Sequence, residues 1–101
     1  MTTEVTVRDN PDHSRLEAVL ADGRVAGYAH YRAGRPAYVF DHTVVEDEFE
    51  GQGIGGRLAE GVVAHAREEG LRVDPTCSFL RVHFARHPDT HDVLAEGVEL
   101  G

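Results

Sequence analysis

The chemistry in this chain starts with its glycines. Gly51-Gln52-Gly53-Ile54-Gly55-Gly56 stands directly before an amphipathic run. Glycine lets backbone N–H groups approach a ligand without interference from Cβ, and the first turn of a helix leaves several such donors unpaired. With the helix dipole they form an anion site suited to a pyrophosphate. Gln52, Gly53, Ile54, Gly55, Gly56 and Arg57 are the expected amides, and the Arg57 guanidinium would add a charge. No Gly-Lys-Ser/Thr ending follows, which excludes a nucleoside-triphosphate loop. Gly51-x-Gly53-x-x-Gly56 does match the dinucleotide fingerprint, with Asp74 about twenty residues on, where a ribose-binding acid would sit. That fingerprint needs its glycines directly after a buried strand of a βαβ unit. Here Glu46-Asp47-Glu48-Phe49-Glu50 intervenes and the preceding strands read as antiparallel. Dinucleotide binding, and a plain strand-to-helix connection without a ligand, stand as the alternatives.

Reactive side chains are few. Cys77 is the single cysteine, expected at a helix N-terminus, where the dipole favours thiolate; the alternative is a small buried apolar residue. His42 is a candidate base at the end of a strand, histidine being the side chain suited to moving protons near neutral pH, yet it would share a face with Phe40 and Val44, so a core-facing histidine is the competing reading. Glu46, Asp47 and Glu48 are reachable carboxylates or simply a solvated loop. His83, His87 and His91 are spaced by four, but Pro88 interrupts any helix through them, and no metal site is expected. Arg81 and Arg86 are either solvent-facing or contacts for a remote phosphate, and Phe79, Leu80, Val82 and Phe84 are expected in the core.

The elements that must position these residues are legible from their periods. Val5 and Val7 suggest a weak strand ending at Asn10-Pro11-Asp12, then Leu16 to Leu20 alternate. Asp22-Gly23 predicts a two-residue hairpin turn into a strand over 25–32. Ala33-Gly34-Arg35-Pro36 makes a second turn, and the strongest strand covers 37–45, with Tyr38, Phe40, His42 and Val44 on one face. From Gly53 to Glu69 the period becomes helical. Ile54, Leu58, Val62 and Ala66 form one stripe, widened by Ala59 and Val63, and Gly70 ends the helix. Leu71-Arg72-Val73 reads as a short strand halted by Pro75. Thr76 or Ser78 caps a helix running to about His87, and Val93 to Leu100 is open between strand and coil.

At this point the residues resemble a known family. Val44-Val45, the acidic loop, Glu50-Gly51-Gln52-Gly53-Ile54-Gly55 and Leu58 look like the acetyl-CoA motif of the GNAT N-acetyltransferase superfamily. Phe40-Asp41-His42-Thr43, Pro75-Thr76-Cys77 and Arg86-His87-Pro88 are similar to segments of its small single-domain members, over about residues 15 to 94. The resemblance implies an α/β (α+β) fold: an antiparallel meander, the glycine-turn helix, a short strand splayed from the preceding one and a C-terminal helix. It implies acetyl-CoA as the coenzyme, transfer of acetyl to an unidentified amine, and a pantetheine arm along the strand ending at Val45, bonded to Thr43, Val44 and Val45. Cys77 would then face the thioester and accept the acyl group or protonate the departing thiolate, with His42 as a base. Glu50 departs from the family's usual Arg or Gln and removes a positive side chain. The helices that usually shape the acceptor site have no room, so a coenzyme A-binding module with little turnover is the runner-up.

Composition sets the outer bounds. The 101 residues suit a single domain, 1–101, with its ligand in a surface groove. Net charge is -8, with 18 acidic residues against 10 basic, all of them Arg. That balance argues against nucleic acid and suits a small-molecule amine or a basic peptide. One cysteine excludes an internal disulfide. Met1-Thr2-Thr3-Glu4-Val5 lacks the features of a signal peptide, and no apolar run reaches membrane-spanning length, so a cytoplasmic protein, monomer or weak dimer, is expected.

Overall fold

The computed structural model describes residues 4–100; Met1 to Thr3 and Gly101, included in the expected 1–101 domain, lie outside the described residues. Five strands form one sheet in chain order: β1 Thr6–Asn10, β2 Arg15–Val19, β3 Val25–Arg32, β4 Tyr38–Val45 and β5 Val73–Pro75. The first four pair antiparallel, and β5 joins β4 in parallel. Two helices, α1 Ile54–Glu69 and α2 Ser78–Arg86, complete the α/β fold, together with short 3-10 turns at 11–13, 47–49 and 88–93.

The predicted stripe is what folds α1 onto the sheet. Ile54, Leu58, Ala59, Val62, Val63 and Ala66 are all buried. They pack against Leu16, Ala29, Tyr31 and Phe40 on one side and against Val5, Ala18, Ala26 and Phe49 on the other. Gly61 lets the helix lie close to β1: a Cβ there would stand 2.5 Å from Val7 Cγ1. Gly70 ends α1 with φ +68, and its N–H and that of Leu71 both bond the Ala66 carbonyl. That termination takes Leu71, so β5 starts two residues later than the alternation of Leu71-Arg72-Val73 suggests.

Four further expectations are corrected. The β2–β3 hairpin has a loop of Ala21-Asp22-Gly23 rather than two residues, because Leu20 N–H bonds the Arg24 carbonyl and Gly23 N–H bonds the Leu20 carbonyl. Gly23 takes φ +91, the left-handed third position of such loops. On α2, only Leu80 and Phe84, four apart, face the sheet; Phe79 and Val82 are 44% and 49% exposed rather than core. The N-cap position of α2 is Cys77, not Thr76 or Ser78.

The fourth concerns β4. His30 opposes His42, but Tyr31 opposes Phe40, so Asp41 is an extra residue, a β-bulge. The bulge resets the alternation. Phe40 is buried, whereas the side chain of His42 is 71% exposed. Phe40 and His42 therefore do not share a face, and the core-facing reading of His42 fails.

Candidate active site

The site is built where β4 outlasts β5. The two pair only from Tyr38–Phe40 to Val73–Pro75. Phe40 carbonyl then accepts N–H bonds from Thr76 (3.0 Å) and Cys77 (3.3 Å), which turns the chain into α2. Beyond that point β4 runs on as Asp41 to Val45 with a partner on its β3 side alone. Glu46 N–H bonds the Ala26 carbonyl at 2.9 Å, which fixes the alternation on that side. Val44 pairs with Tyr28 through its backbone, while the backbone groups of Thr43 and Val45 turn toward the open edge. Of the strand residues expected to bond a pantetheine arm, Val44 is thus engaged in the sheet.

The glycine turn faces the same end of β4. Gly51 and Gly53 take φ +80 and +79, conformations that only glycine adopts without strain. Phe49, the one apolar residue of the acidic segment 46–50, is buried and anchors the turn; its carbonyl accepts Gln52 N–H at 3.3 Å. Arg57 N–H bonds the Gly53 carbonyl at 3.1 Å as the first bond of α1. So Gln52 and Arg57 drop out of the expected set of amides. Among the described residues, no protein acceptor meets the N–H groups of Gly53, Ile54, Gly55 and Gly56. The Arg57 side chain is also turned away. Its Nη2 donates to the Val5 carbonyl at 3.2 Å and its Nε lies 3.4 Å from Glu60.

Cys77 lies across this gap from Thr43, with Sγ 3.5 Å from Oγ1. Burial pushes its thiol pKa up, but the Thr43 hydroxyl and the N–H groups of Leu80, Phe79 and Thr43 outweigh that and hold it below the ordinary value. Phe79 was missed as a site residue, because the sequence pattern assigned it to the core. Its exposed ring stands over the start of α1, with Cζ 2.8 Å from where a Gly55 Cβ would be.

His42 does not join this group. Thr43 opposes buried Ala29 on the helix face of the sheet, so its neighbour His42 projects from the other face. There its Nδ1 lies 3.2 Å from Asp41 Oδ1, which also bonds His30 Nδ1 at 2.7 Å. The other candidates are occupied elsewhere. His87 Nδ1 bonds the His83 carbonyl and His91 Nε2 the Phe84 carbonyl. Arg81 ties the Pro75 and Glu99 carbonyls together. No helix among the described residues is long and apolar enough to cross a membrane.

Comparisons with known proteins agree with this geometry. Over 93% of its length, the chain superposes on 91% of the NMR solution structure of a GCN5-like candidate N-acetyltransferase from Staphylococcus aureus, with TM-score 0.67 and 26% identity. It is 40% identical over 63 residues to L-methionine sulfoximine/L-methionine sulfone acetyltransferases of Pseudomonas paraeruginosa and Pseudomonas aeruginosa. The match takes in 57% of this chain and 37% of each relative, so it spans little more than a third of their length. The family model described as GCN5-related N-acetyl-transferase matches residues 15–93. With strand, glycine turn and helix in the family's order, and most of the chain covered by its model, this protein belongs to the GCN5-related N-acetyltransferases.

Proposed function

We propose that this protein transfers an acetyl group from acetyl-CoA to a small-molecule amine. One observation carries the reading: the open N–H groups of Gly53, Ile54, Gly55 and Gly56 lie at the end of β4 where that strand parts from β5. Those donors suit the pyrophosphate. The open edge of β4 at Thr43 and Val45 suits the amide-bearing pantetheine arm, with Phe79 as an apolar wall. Such a path delivers the thioester toward Cys77.

A thiol held below its ordinary pKa is present in larger fraction as thiolate, the form that attacks a thioester. Cys77 is therefore assigned as the acyl acceptor. Its thiolate attacks the thioester carbonyl, an S-acetyl bond forms, and coenzyme A leaves as thiolate. The amine then attacks the Cys77 thioester, regenerating the Cys77 thiolate and passing its proton to a base. His42, on the opposite face of the sheet from Cys77, is not assigned that proton. Formal net charge of -8 and the exposed Asp47 and Glu48 favour a cationic acceptor. The amino-acid relatives make α-amino acids the first acceptors to try.

Thiol release from acetyl-CoA, measured against a panel of amino acids, polyamines and basic peptides, tests the activity. Acceptor-dependent release supports it. Tight acetyl-CoA binding with no release from any acceptor would reduce the protein to a coenzyme-binding module. Intact mass after acetyl-CoA alone tests Cys77: wild type gains one acetyl group and Cys77→Ala gains none.

A further inference from the structure

The face of the sheet away from the helices carries a second constellation that acyl transfer leaves unexplained. The bulge at Asp41 places two consecutive residues of β4, Asp41 and His42, on that face beside His30 of β3. The three offer one ligand atom each, all within 4.8 Å of one another. Two imidazoles and a carboxylate are a ligand set for a divalent transition ion. From these contacts we propose that His30, Asp41 and His42 form a binding site for a divalent transition-metal ion of the zinc, cobalt and nickel group.

The distances are those a metal needs. Metal–nitrogen bonds of about 2.0–2.1 Å separate neighbouring ligand atoms by about 2.9 Å in an octahedral site and about 3.3 Å in a tetrahedral one. Asp41 Oδ1 already stands 2.7 Å from His30 Nδ1 and 3.2 Å from His42 Nδ1. The three ligand atoms lie within 4.8 Å of one another, and His42, 71% exposed, is free to turn inward. Asp41 is the anchor. Its side chain is 18% exposed, and its second oxygen, 3.7 Å from Arg32 Nε, is held off the site. The remaining coordination positions face solvent, open to water or to a carboxylate or amine of a small molecule. The other close histidine pair, His83 and His87, stacks at 4.1 Å with His87 Nδ1 engaged by a carbonyl, and among the described residues it forms no three-ligand cluster with a carboxylate.

The site is independent of the acyl-transfer reading, and its test needs no activity. Full-length protein is titrated with Co2+ and its visible absorption followed, with Zn2+ competition, and imidazole 15N shifts are recorded in the wild type. The expected result is one equivalent bound, with affinity reduced at least tenfold in His42→Gln and in Asp41→Asn and unchanged in His83→Gln. The Zn2+-dependent shifts should fall on His30 and His42. Equal affinity in wild type and both site variants overturns the proposal, as does an ion held by His83 and His87. So does the absence of any Co2+ or Zn2+ effect at millimolar metal, or an unmoved pair of imidazoles in the wild type should the variants fail to fold.

Discussion

Gly27 is the position where fold and site are joined most tightly, and replacing it with alanine makes the sharpest prediction. Gly27 opposes Val45 in a pair that makes no hydrogen bonds of its own, the geometry in which strand backbones come closest. A Cβ at Gly27 would stand 2.6 Å from the Val44 carbonyl oxygen, 3.2 Å from Val45 Cα and 3.3 Å from Ile54 Cγ2. The nearest of these is backbone, so relief requires moving β4 rather than rotating a side chain. Overpacking costs typically about 1–3 kcal/mol, and a backbone obstacle puts Gly27→Ala in the upper half, at about 2–3 kcal/mol. At about 4–8 °C per kcal/mol for a domain near this size, Tm should fall by about 10–20 °C. Gly56→Ala is the counterpart. Its Cβ meets nothing within 4 Å, and alanine is the better helix former, so it should gain up to about 1 kcal/mol and raise Tm by a few degrees. Thermal and urea unfolding of both variants decide the matter. A Gly27→Ala protein melting within about 2 °C of wild type would refute the reasoning, since the clash would then be absorbed without cost.

Other predictions follow from single contacts. Phe84→Ala, removing a fully buried ring, should lose about 3–5 kcal/mol in urea unfolding, whereas Phe79→Ala, at an exposed ring, should change stability little and weaken acetyl-CoA binding instead. Iodoacetamide should alkylate Cys77 at a lower pH than an ordinary thiol, and Thr43→Val should shift that rate profile upward in pH, because one of the groups lowering the pKa is gone. Burial raises the Asp41 pKa, but hydrogen bonds from His30 and His42 outweigh it and hold the carboxyl below its usual value. A depressed folded-state pKa gives stability that is present above the unfolded value and lost as pH falls through the folded one. Asp41→Asn should therefore flatten the acid limb of stability against pH, as followed by circular dichroism, and leave the limb above pH 7 unchanged.

What was legible in the sequence was local. The spacing of Ile54, Leu58, Val62 and Ala66 is a one-dimensional record of one helix face, so α1 and its buried stripe follow directly. Gly51 and Gly53 mark backbone that only glycine adopts readily, so the turn before α1 follows too. What sequence could not show depends on partners. The bulge at Asp41 exists only because His30 and Tyr31 of β3 oppose His42 and Phe40; β4 read alone keeps a simple alternation and sends His42 to the wrong face. Which amides stay open depends on the acceptors that fold nearby. Gln52 loses its N–H to the Phe49 carbonyl and Arg57 turns to Val5, contacts that no spacing rule reports. Phe79 is apolar like Leu80, and only the packing of α2 decides which of the two is covered.

A coenzyme with a diphosphate should find its anchor in the backbone of the α1 opening. The direct measurement is a titration of 15N-labelled protein with acetyl-CoA, following backbone amide shifts. The largest shifts should fall on Gly53, Ile54, Gly55 and Gly56, followed by Thr43 and Val45, with Arg8 and Glu17 of the far strands unmoved. Saturable binding that leaves the amides of residues 53–56 in place, or no binding at millimolar acetyl-CoA, would contradict the account.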